Sequence, residues 1–597
     1  MELEEIARKY ALKNAVDHGG ECNPGAVIGK IFAEEEFENK GEVTQKTQEI
    51  CAEINEMSLE EQEEELESYE FEEKEEEEHD PIPDLENAEE YEEIVVRFAP
   101  NPNGPPHIGH ARGMTINGEL RDKYEGKLIL RYDDTDPVTK RPLKEAYDMY
   151  AEDYEWLGYK PDEVRYSSKN FDTYIEYAEK LIEMGKAYVC QCSQEEGHKY
   201  REEGEACPHR DQSAEENMQL WKKMRAENKE ETEEQEEEKE ADEESEPQED
   251  NEDKADEETE EEDQEEEKAF FEEGEATLKI KTDMQHKNPA IRDFVAFRII
   301  DEADHPVTGD KYRVWPLLDF QGAIEDHVMG TTHIVRGKEL RASTKRQKFI
   351  YDYLDWDYPH IMYWGNVKIS GFDAPVSTST LTEMMEEGEL DGWDDPRAPT
   401  LRALRKRGFQ PEALQNFYIE MGVSEKDIEA STETLESHNR KIVDQEAERR
   451  FFVRNPVELE ISGVPEDVEP HMARHPDQDL GTRNFELDRD GEKITVLVEE
   501  EDLEDGFLRL KGLCNIEIEG ETAEYREGDH TEALDKDADI VHWAPSNADE
   551  AQVHMPDGEV KEGRIEPSEY DSNEVYQFER FGFVRCEEEG IFYFTHE

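Results

Sequence analysis

Residues 97–110 read RFAPNPNGPPHIGH. The stretch begins at the end of an apolar segment, continues through a loop rich in proline and glycine, and ends at the start of a predicted helix. The segment that starts before it, Glu93 to Phe98, predicts a buried strand, and Gly109 to Tyr124 predicts the helix. Lys127 to Tyr132 predicts the next strand, so the three segments form a compact βαβ unit. This arrangement is typical of nucleotide-binding α/β domains.

Two histidines mark the start of the predicted helix. His107 and His110 lie three residues apart and therefore share one helix face. Gly109 leaves that face without a side chain, so a flat ring can lie against the backbone while the imidazoles and the free amides of the helix N-terminus meet its phosphates. The alternative is an ordinary helix start with two surface histidines.

The stretch resembles the HIGH signature of class I aminoacyl-tRNA synthetases, and its flanks resemble the glutamyl and glutaminyl branch of that family. The similarity continues through residues 130–137, resumes at 155–159, 164–168, 211–225 and 392–397, and covers 93–597 apart from one insertion. The resemblance implies an α/β Rossmann-like catalytic domain, a helical stem and C-terminal antiparallel β-barrels that read the anticodon. It also implies ATP and Mg²⁺, with the ATP phosphates contacted by His107 and His110.

Composition and patterning divide the chain into four predicted regions. Helical spacing followed by an acidic linker makes residues 1–90 a helical N-terminal appendix. Residues 91–390 would form the catalytic domain and residues 391–450 a helical stem-contact domain. Short alternating segments between turns make residues 451–597 a β-barrel region. Within the catalytic domain, residues 226–268 lack aromatic residues, Val, Ile and Leu, so they predict a disordered acidic insertion.

Charge is the strongest compositional signal. The formal net charge is −92 and the mean hydropathy is −1.02. In dilute buffer so many carboxylates repel one another and also repel a polyanion such as RNA. At about 1 M salt the Debye length falls to roughly 3 Å, so a cytoplasm of molar salt is predicted. The alternative is wholesale disorder, which the regularly patterned segments oppose.

Other features predict a cytoplasmic location. The sequence has no run of about 18 uninterrupted apolar residues, and its start lacks the basic region of a signal peptide. The seven cysteines are odd in number and dispersed, unlike a disulfide framework. We expect a monomer without membrane contact.

The resemblance implies which residues bind the substrate amino acid. Asp133 would take the α-ammonium group, and Arg97 would face the substrate. Arg336 stands where glutamyl enzymes have arginine and glutaminyl enzymes have a small neutral residue. A guanidinium pairs with a γ-carboxylate but cannot accept a hydrogen bond from an amide NH₂, so the predicted substrate is glutamate. Leu318 departs from the pattern, because many relatives have a pocket tyrosine there.

The second class I signature, KMSKS, is degenerate in this chain. Its best match is VSTST at residues 376–380, and it implies ATP contacts from Ser377 and Ser379. Archaeal relatives commonly end this loop with a lysine that stabilises the leaving pyrophosphate, whereas this chain has Thr380. Lys368, another cation, or the hydroxyls together with Mg²⁺ would replace that lysine.

A cysteine and histidine set predicts a metal site. Cys190 and Cys192 form a C-x-C pair, and Cys207 and His209 form a C-x-H pair after a loop, a combination suited to tetrahedral zinc. The alternative is a group of buried thiols in a small subdomain. Several glutamyl-tRNA synthetases have a similar pattern and carry structural zinc, so the resemblance implies structural Zn²⁺ here.

A basic cluster stands out after the predicted catalytic domain. Arg402, Arg405 and Arg407 lie close together in an otherwise acidic chain, and we predict that they contact tRNA phosphates. The alternative is pairing with Glu412 or Asp395.

The resemblance as a whole implies a glutamate–tRNA ligase that forms glutamyl-adenylate and charges tRNA(Glu), with charging of tRNA(Gln) left open. A glutaminyl enzyme is one alternative, which Arg336 opposes. A catalytically inactive, tRNA-binding paralogue is the other, and Thr380 motivates it.

Overall fold

The computed structural model describes residues 3–17, 20, 22, 24–34, 40–55, 57–66, 69, 81–226, 270–520, 522–536 and 538–597. The chain divides into two compact units, Met1–Asp80 and Pro81–Glu597. Residues 227–268 of the predicted acidic insertion lie outside the described residues.

The first unit is helical, as the spacing of its apolar residues predicts. Its helices α1 to α4 span Leu3–Asp17, Pro24–Glu34, Lys40–Ile54 and Leu59–Leu66. They bury a small apolar core that includes Ile6, Leu12 and Ile54. The unit ends at Asp80, ten residues before the boundary that composition predicts, because Ile82 and Leu85 pack into a core of the second unit.

The second unit contains the remaining elements. Helices α5 to α16 are Ile108–Lys123, Lys144–Trp156, Phe171–Glu183, Gln194–Glu203, Ala214–Arg225, Leu318–Val328, Arg341–Leu354, Thr378–Glu386, Leu401–Arg407, Pro411–Met421, Thr432–Val443 and His530–Asp535. Strands β1 to β14 are Val95–Phe98, Lys127–Tyr132, Glu163–Tyr166, Ala187–Cys190, Thr277–Ile280, Phe294–Ile299, Val314–Pro316, His333–Gly337, His360–Trp364, Val367–Ser370, Ile428–Ser431, Glu448–Arg450, Phe452–Arg454 and Pro456–Ser462. Strands β15 to β28 are Met472–Ala473, Thr482–Arg483, Asp488–Asp490, Lys493–Glu499, Gly506–Leu510, Cys514–Glu519, Thr522–Arg526, Asp539–Val541, Ala544–Pro545, Asp549–His554, Val560–Ile565, Val575–Phe578, Gly582–Glu588 and Ile591–His596.

Parallel strands form the centre of the catalytic domain. Strands β1, β2 and β3 pair in parallel, as do β8 and β9. The two sets meet where the amide of Thr332 donates to the carbonyl of Val95 at 3.0 Å. These strands are rich in apolar residues because a parallel sheet is covered on both faces. The predicted β2 is confirmed, β1 starts two residues later than predicted, and α5 lies one residue earlier at each end.

An antiparallel sheet of β4 to β7 is inserted between β3 and β8. Strand β4 pairs with β5 from Ala187 opposite Ile280 to Cys190 opposite Thr277, although the acidic insertion separates them in sequence. Trp221 and Phe297 pack edge to face in its core. The helical domain that follows contacts the catalytic sheet through α14, whose Tyr418 hydroxyl donates to the carbonyl of Ile108 on α5.

Two curved sheets complete the chain, in agreement with the predicted barrels. In the first, β12 and β13 form opposite edges of the seven-stranded order β12-β26-β27-β28-β24-β25-β13. Because Phe451 alone separates β12 from β13, the two edges come together. In the second, β22 pairs with β19 and β23 pairs with β18, and only His542 and Trp543 lie between β22 and β23. Both sheets are mostly antiparallel, with parallel pairs such as β14–β21 and β24–β28.

Candidate active site

Helix α5 begins at the two histidines of the first signature. His107 is the N-cap residue, and its Nδ1 accepts a hydrogen bond from the amide of Gly109 at 3.1 Å. Nδ1 of His110 accepts from the amide of His107 at 3.2 Å, and the two rings stack with centroids 3.8 Å apart. Because each Nδ1 is an acceptor, each neutral imidazole carries its proton on Nε2, where it can donate to a phosphate. Burial lowers the pKa of His107 to about 4 and lowers the pKa of His110 well below its usual value.

The loop before α5 lies directly against the second signature. A Cβ added at Gly104 would overlap the methyl group of Thr378 and would come 3.1 Å from the ring of Trp393. A Cβ added at Gly109 would come 3.0 Å from the ring of His107. Glycine at position 104 therefore allows the two signatures to meet at one end of a common cleft, and glycine at position 109 leaves room for the ring of His107.

The cleft has a volume of about 1130 Å³ and opens at the carboxyl ends of β1, β2 and β8, where ligands bind in open parallel sheets. Its lining includes these residues predicted from the sequence: Arg97, His107, Gly109, His110, Asp133, Arg336, Ser377 and Ser379. The site residues expected for ATP and glutamate are thus brought together, with the exception of Lys368.

Three arginines that line this cleft converge on one buried carboxylate behind them. Asp326 lies 3.0 Å from Nε of Arg97, 2.8 Å from Nη1 of Arg131 and 3.6 Å from Nη2 of Arg336. Burial opposes the ionisation of Asp326, but the three guanidinium groups outweigh burial and lower its pKa to about 2. Asp326 therefore stays ionised and holds the arginines in place.

Asp133, the predicted ligand of the α-ammonium group, is fixed by two neighbours. Arg131 donates to it from Nε at 2.7 Å and from Nη2 at 3.2 Å. Gln321 donates to its Oδ1 at 3.0 Å. The carboxylate is held at the end of β2 and keeps lone pairs available for an ammonium group.

Sequence reasoning missed Arg131 and Asp326. A signal for Arg131 was present, because a charged residue within the apolar run of β2 is rarely buried without a partner. Asp326 lies on helix α10 and carries no comparable local signal, since its role depends on strands far away in sequence.

No tyrosine is among the described residues that line the cleft. Leu318, which stands at the usual tyrosine position, lines the cleft and is 49% exposed. The hydroxyl of Tyr358 instead donates to Oε1 of Gln347 at 2.6 Å, and the same oxygen accepts from Arg336 at 3.1 Å. Tyr358 therefore orients Arg336 through Gln347.

A second buried aspartate fixes the backbone behind Asp133. Asp134 accepts from the amide of Ser168 at 2.8 Å, from its hydroxyl at 2.7 Å, and from the hydroxyl of Tyr147 at 2.8 Å. Burial raises the pKa of Asp134 to about 6, although these hydrogen bonds oppose the shift. The two adjacent aspartates thus have different roles, one facing the cleft and one anchoring the loop.

The second signature supplies hydroxyl groups to the cleft. Ser377 and Ser379 line it, and the hydroxyl of Thr380 donates to Ser377 at 3.1 Å. Lys368 is exposed on β10 and is not among the described residues that line the cleft. The structure therefore does not bring Lys368 together with the other residues expected to contact ATP, because its strand pairs with β11.

The predicted metal ligands come together at the end of β4. One ligand atom from each of Cys190, Cys192, Cys207 and His209 lies within 4.8 Å of the others. The sulfur atoms of Cys190 and Cys207 are 3.8 Å apart, and Sγ of Cys192 is 3.4 Å from Nδ1 of His209. A tetrahedron with Zn–S bonds of about 2.3 Å has edges of about 3.8 Å, so the donor set fits zinc.

The basic cluster on α13 is used mainly within the protein. Arg402 pairs with Glu152, so the pairing expected with Glu412 or Asp395 is wrong in its partners. Arg407 is 5% exposed and donates to the carbonyls of Phe594 and Thr595 in the first barrel, at 3.2 and 2.8 Å. The predicted tRNA contact by Arg407 is therefore wrong. Arg405 is exposed.

Two family models match the chain. The model for the catalytic domain of tRNA synthetases class I (E and Q) matches residues 93–235 and 226–445. The model for the anti-codon binding domain of the same family matches residues 447–537. No helix in the described part of the chain is long and apolar enough to cross a membrane.

Curated relatives match along the full length. The glutamate–tRNA ligase of Archaeoglobus fulgidus is 44% identical over 100% of both chains. That of Haloarcula marismortui is 38% identical and covers 100% of this chain and 98% of its own. A solved glutamate tRNA ligase from Elizabethkingia meningosepticum, in complex with its amino acid, is 20% identical, covers 60% of this chain and 70% of its own, and has a TM-score of 0.36.

Proposed function

This chain belongs to the class I tRNA synthetases of the E and Q family, and on this premise we propose that it is a glutamate–tRNA ligase. In the first step an α-carboxylate oxygen of glutamate attacks the α-phosphorus of ATP, which gives glutamyl-adenylate and pyrophosphate. In the second step the glutamyl group passes from AMP to a hydroxyl at the 3′ end of tRNA(Glu).

The charge of the amino-acid pocket is the feature that favours glutamate over glutamine. Arg97, Arg131 and Arg336 share the two carboxylates of Asp133 and Asp326, so this cluster of five groups carries one positive charge in excess. The α-amino and α-carboxyl groups are common to both amino acids, so the side chain decides. A γ-carboxylate neutralises this cluster, whereas an amide leaves a buried guanidinium without an anionic partner.

The first signature is suited to hold the ATP phosphates. The Nε2–H groups of His107 and His110 can donate to phosphate oxygens, and the N-terminus of α5 favours negative charge. Mg²⁺ accompanies ATP and neutralises part of the phosphate charge when bound. Positioning adds a further catalytic contribution, because a fixed carboxylate and a fixed α-phosphorus react far faster than free ones.

We assign a structural zinc ion to Cys190, Cys192, Cys207 and His209. Support comes from the spacing of their ligand atoms, which fits a tetrahedron, and from their position, since none of the four is among the described residues that line the cleft. Four protein ligands fill the coordination shell of zinc and leave no site for substrate, as in structural zinc sites. The ion would fix the end of β4 in the inserted sheet.

The tRNA would contact the exposed side chain of Arg405 and the two barrels. Residues 447–537 of this barrel region match the model for the anticodon-binding domain. The net charge of −92 favours a cytoplasm of molar salt as the site of this reaction, since tRNA carries charge of the same sign.

ATP–pyrophosphate exchange, measured in the presence of tRNA, tests the proposal. We expect exchange that depends on glutamate and is lower by at least about a hundredfold with glutamine, the scale set by one buried charge-assisted pair. Exchange that prefers glutamine would favour a glutaminyl enzyme. Binding of tRNA without exchange for either amino acid would identify an inactive paralogue.

A further inference from the structure

Most cations that line the cleft already have a carboxylate partner. Arg97, Arg131 and Arg336 share Asp326, Arg298 pairs with Asp136 at 2.9 Å, and Arg346 pairs with Asp319. The two exceptions among the cleft-lining cations are Lys140 and Arg201, for whose side-chain cationic groups the described residues provide no hydrogen bond or ion pair.

The loop that carries Lys140 is fastened to the first signature at both ends. At its start, the amide of Asp133 donates to the carbonyl of Pro100 at 2.8 Å. At its end, the amide of Leu143 donates to the carbonyl of Pro102 at 2.9 Å. Lys140 is therefore held next to the loop that leads into α5, at the end of the cleft where the phosphates of ATP would lie.

The side chain of Asp136 shapes the middle of the loop. Oδ1 of Asp136 accepts from the amides of Val138 and Thr139 at 3.2 and 2.9 Å and from Arg298 at 2.9 Å. This turn leaves the next residue, Lys140, exposed at the cleft wall. Its charge reaches the first signature, because after burial and the charge of His107 it also lowers the pKa of His110.

The chemistry of the first step favours a cation from the protein at this end of the cleft, in addition to Mg²⁺. The bond from the glutamate carboxylate oxygen to the α-phosphorus forms while the bond from the α-phosphorus to the oxygen of the β-phosphate breaks. The electron pair of the broken bond leaves with pyrophosphate, so negative charge grows there. The imidazoles of the first signature are neutral, the second signature offers hydroxyls, and Lys368 lies outside the cleft lining.

We propose that Lys140 is the catalytic cation that stabilises the departing pyrophosphate, in place of the lysine that the second signature lacks at Thr380. Its ammonium group donates hydrogen bonds to the pyrophosphate oxygens and keeps its proton throughout the step. The inference rests on the proposed glutamate-activating function.

The test compares four variants by glutamate-dependent ATP–pyrophosphate exchange with tRNA present. Lys140→Ala should lower kcat by about a hundredfold, the effect of removing one transition-state donor, with KM for ATP changed far less. Lys140→Arg should recover most of the rate because it restores a cation. Lys345→Ala and Lys368→Ala are matched controls that each remove one positive charge from an exposed side chain outside the cleft lining, and both should stay within about threefold of the wild type.

The outcomes separate this inference from the proposed function. Wild-type exchange with glutamate establishes the function whatever the variants do. Lys140→Ala activity within about threefold of the wild type would overturn the role of Lys140, and so would an equal loss in Lys345→Ala, which would indicate a general effect of charge. A collapse in Lys368→Ala alone would transfer the role to Lys368. Because Lys140 is exposed in a turn, unchanged circular dichroism should accompany the loss in Lys140→Ala.

Discussion

Replacement of Arg336 by alanine tests the basis of substrate choice most directly. Arg336 is 7% exposed and is held by Asp326 at 3.6 Å and by Gln347 at 3.1 Å. The cluster around Asp326 and Asp133 has three arginines and two aspartates, so the γ-carboxylate of bound glutamate brings these groups to neutrality. In Arg336→Ala the same γ-carboxylate is buried with one negative charge in excess.

The expected cost follows from that excess charge. Removal of one partner from a buried ion pair costs about 3–5 kcal/mol. At about 1.4 kcal/mol per factor of ten, kcat/KM for glutamate should fall by roughly two to nearly four orders of magnitude. The ratio of kcat/KM for glutamate to that for glutamine should fall too, because the lost group is the one that distinguishes the two side chains.

The fold should survive this change. Asp326 keeps Arg97 at 3.0 Å and Arg131 at 2.8 Å, so its charge remains paired in the variant. Thermal unfolding and circular dichroism should therefore resemble those of the wild type. Lys345→Ala, which removes an exposed charge from the same neighbourhood on α11, is the control and should leave glutamate use unchanged.

The assay is glutamate-dependent ATP–pyrophosphate exchange across a concentration series of glutamate and of glutamine. Glutamate use by Arg336→Ala within about tenfold of the wild type would remove Arg336 from the recognition of the γ-carboxylate. An equal loss in Lys345→Ala would also refute the reasoning, because it would assign the effect to overall charge.

Other expected outcomes concern salt, zinc, the insertion and the basic cluster. Aminoacylation and helicity should rise from millimolar toward molar KCl, because the net charge of −92 needs screening. Circular dichroism and tRNA charging across a KCl series would measure this rise, and full folding with peak activity in dilute buffer would contradict the prediction. The purified protein should contain about one zinc ion by elemental analysis, and Cys190→Ser should lose it and lower the melting temperature, whereas Cys514→Ser should keep it. Deletion of residues 227–267 should leave aminoacylation in molar KCl unchanged, since they contain no core-forming residues; a collapse would make the insertion a functional element. Arg407→Ala should lower the melting temperature, because it removes two hydrogen bonds to the first barrel. Arg405→Ala should instead raise KM for tRNA without changing stability. The opposite pattern would make Arg407 the tRNA contact.

The parts of the fold that sequence predicted well depend on local periodicity. The βαβ unit around residues 95–132 could be located to within two residues because its strands are continuous apolar runs and its helix begins at a proline and glycine loop. The grouping of the four metal ligands was also predictable from local sequence, since Cys190 with Cys192 and Cys207 with His209 each form a short motif. Such features require no knowledge of distant contacts.

The arginine cluster illustrates what periodicity alone does not reveal. Arg97, Arg131, Asp326 and Arg336 come from three strands and one helix, and their grouping depends on which strand ends share an edge. The positive charges of the basic run on α13 predicted a nucleic-acid surface, and that local pattern does not reveal which of its residues are buried. Burial of Arg407 against the first barrel is a tertiary contact almost two hundred residues away in sequence.

The acidic composition and the cationic cleft are compatible because salt acts on them unequally. Exposed charges separated by more than a Debye length are screened almost fully at molar salt, whereas buried pairs are screened far less. The carboxylates of the surface therefore stop repelling tRNA under conditions in which Asp326, 2% exposed at its side chain, still attracts Arg97 and Arg131. The same reasoning extends to the one uncompensated positive charge that selects glutamate. A surface adapted to brine can thus coexist with substrate recognition by charge, provided that the recognising groups are buried.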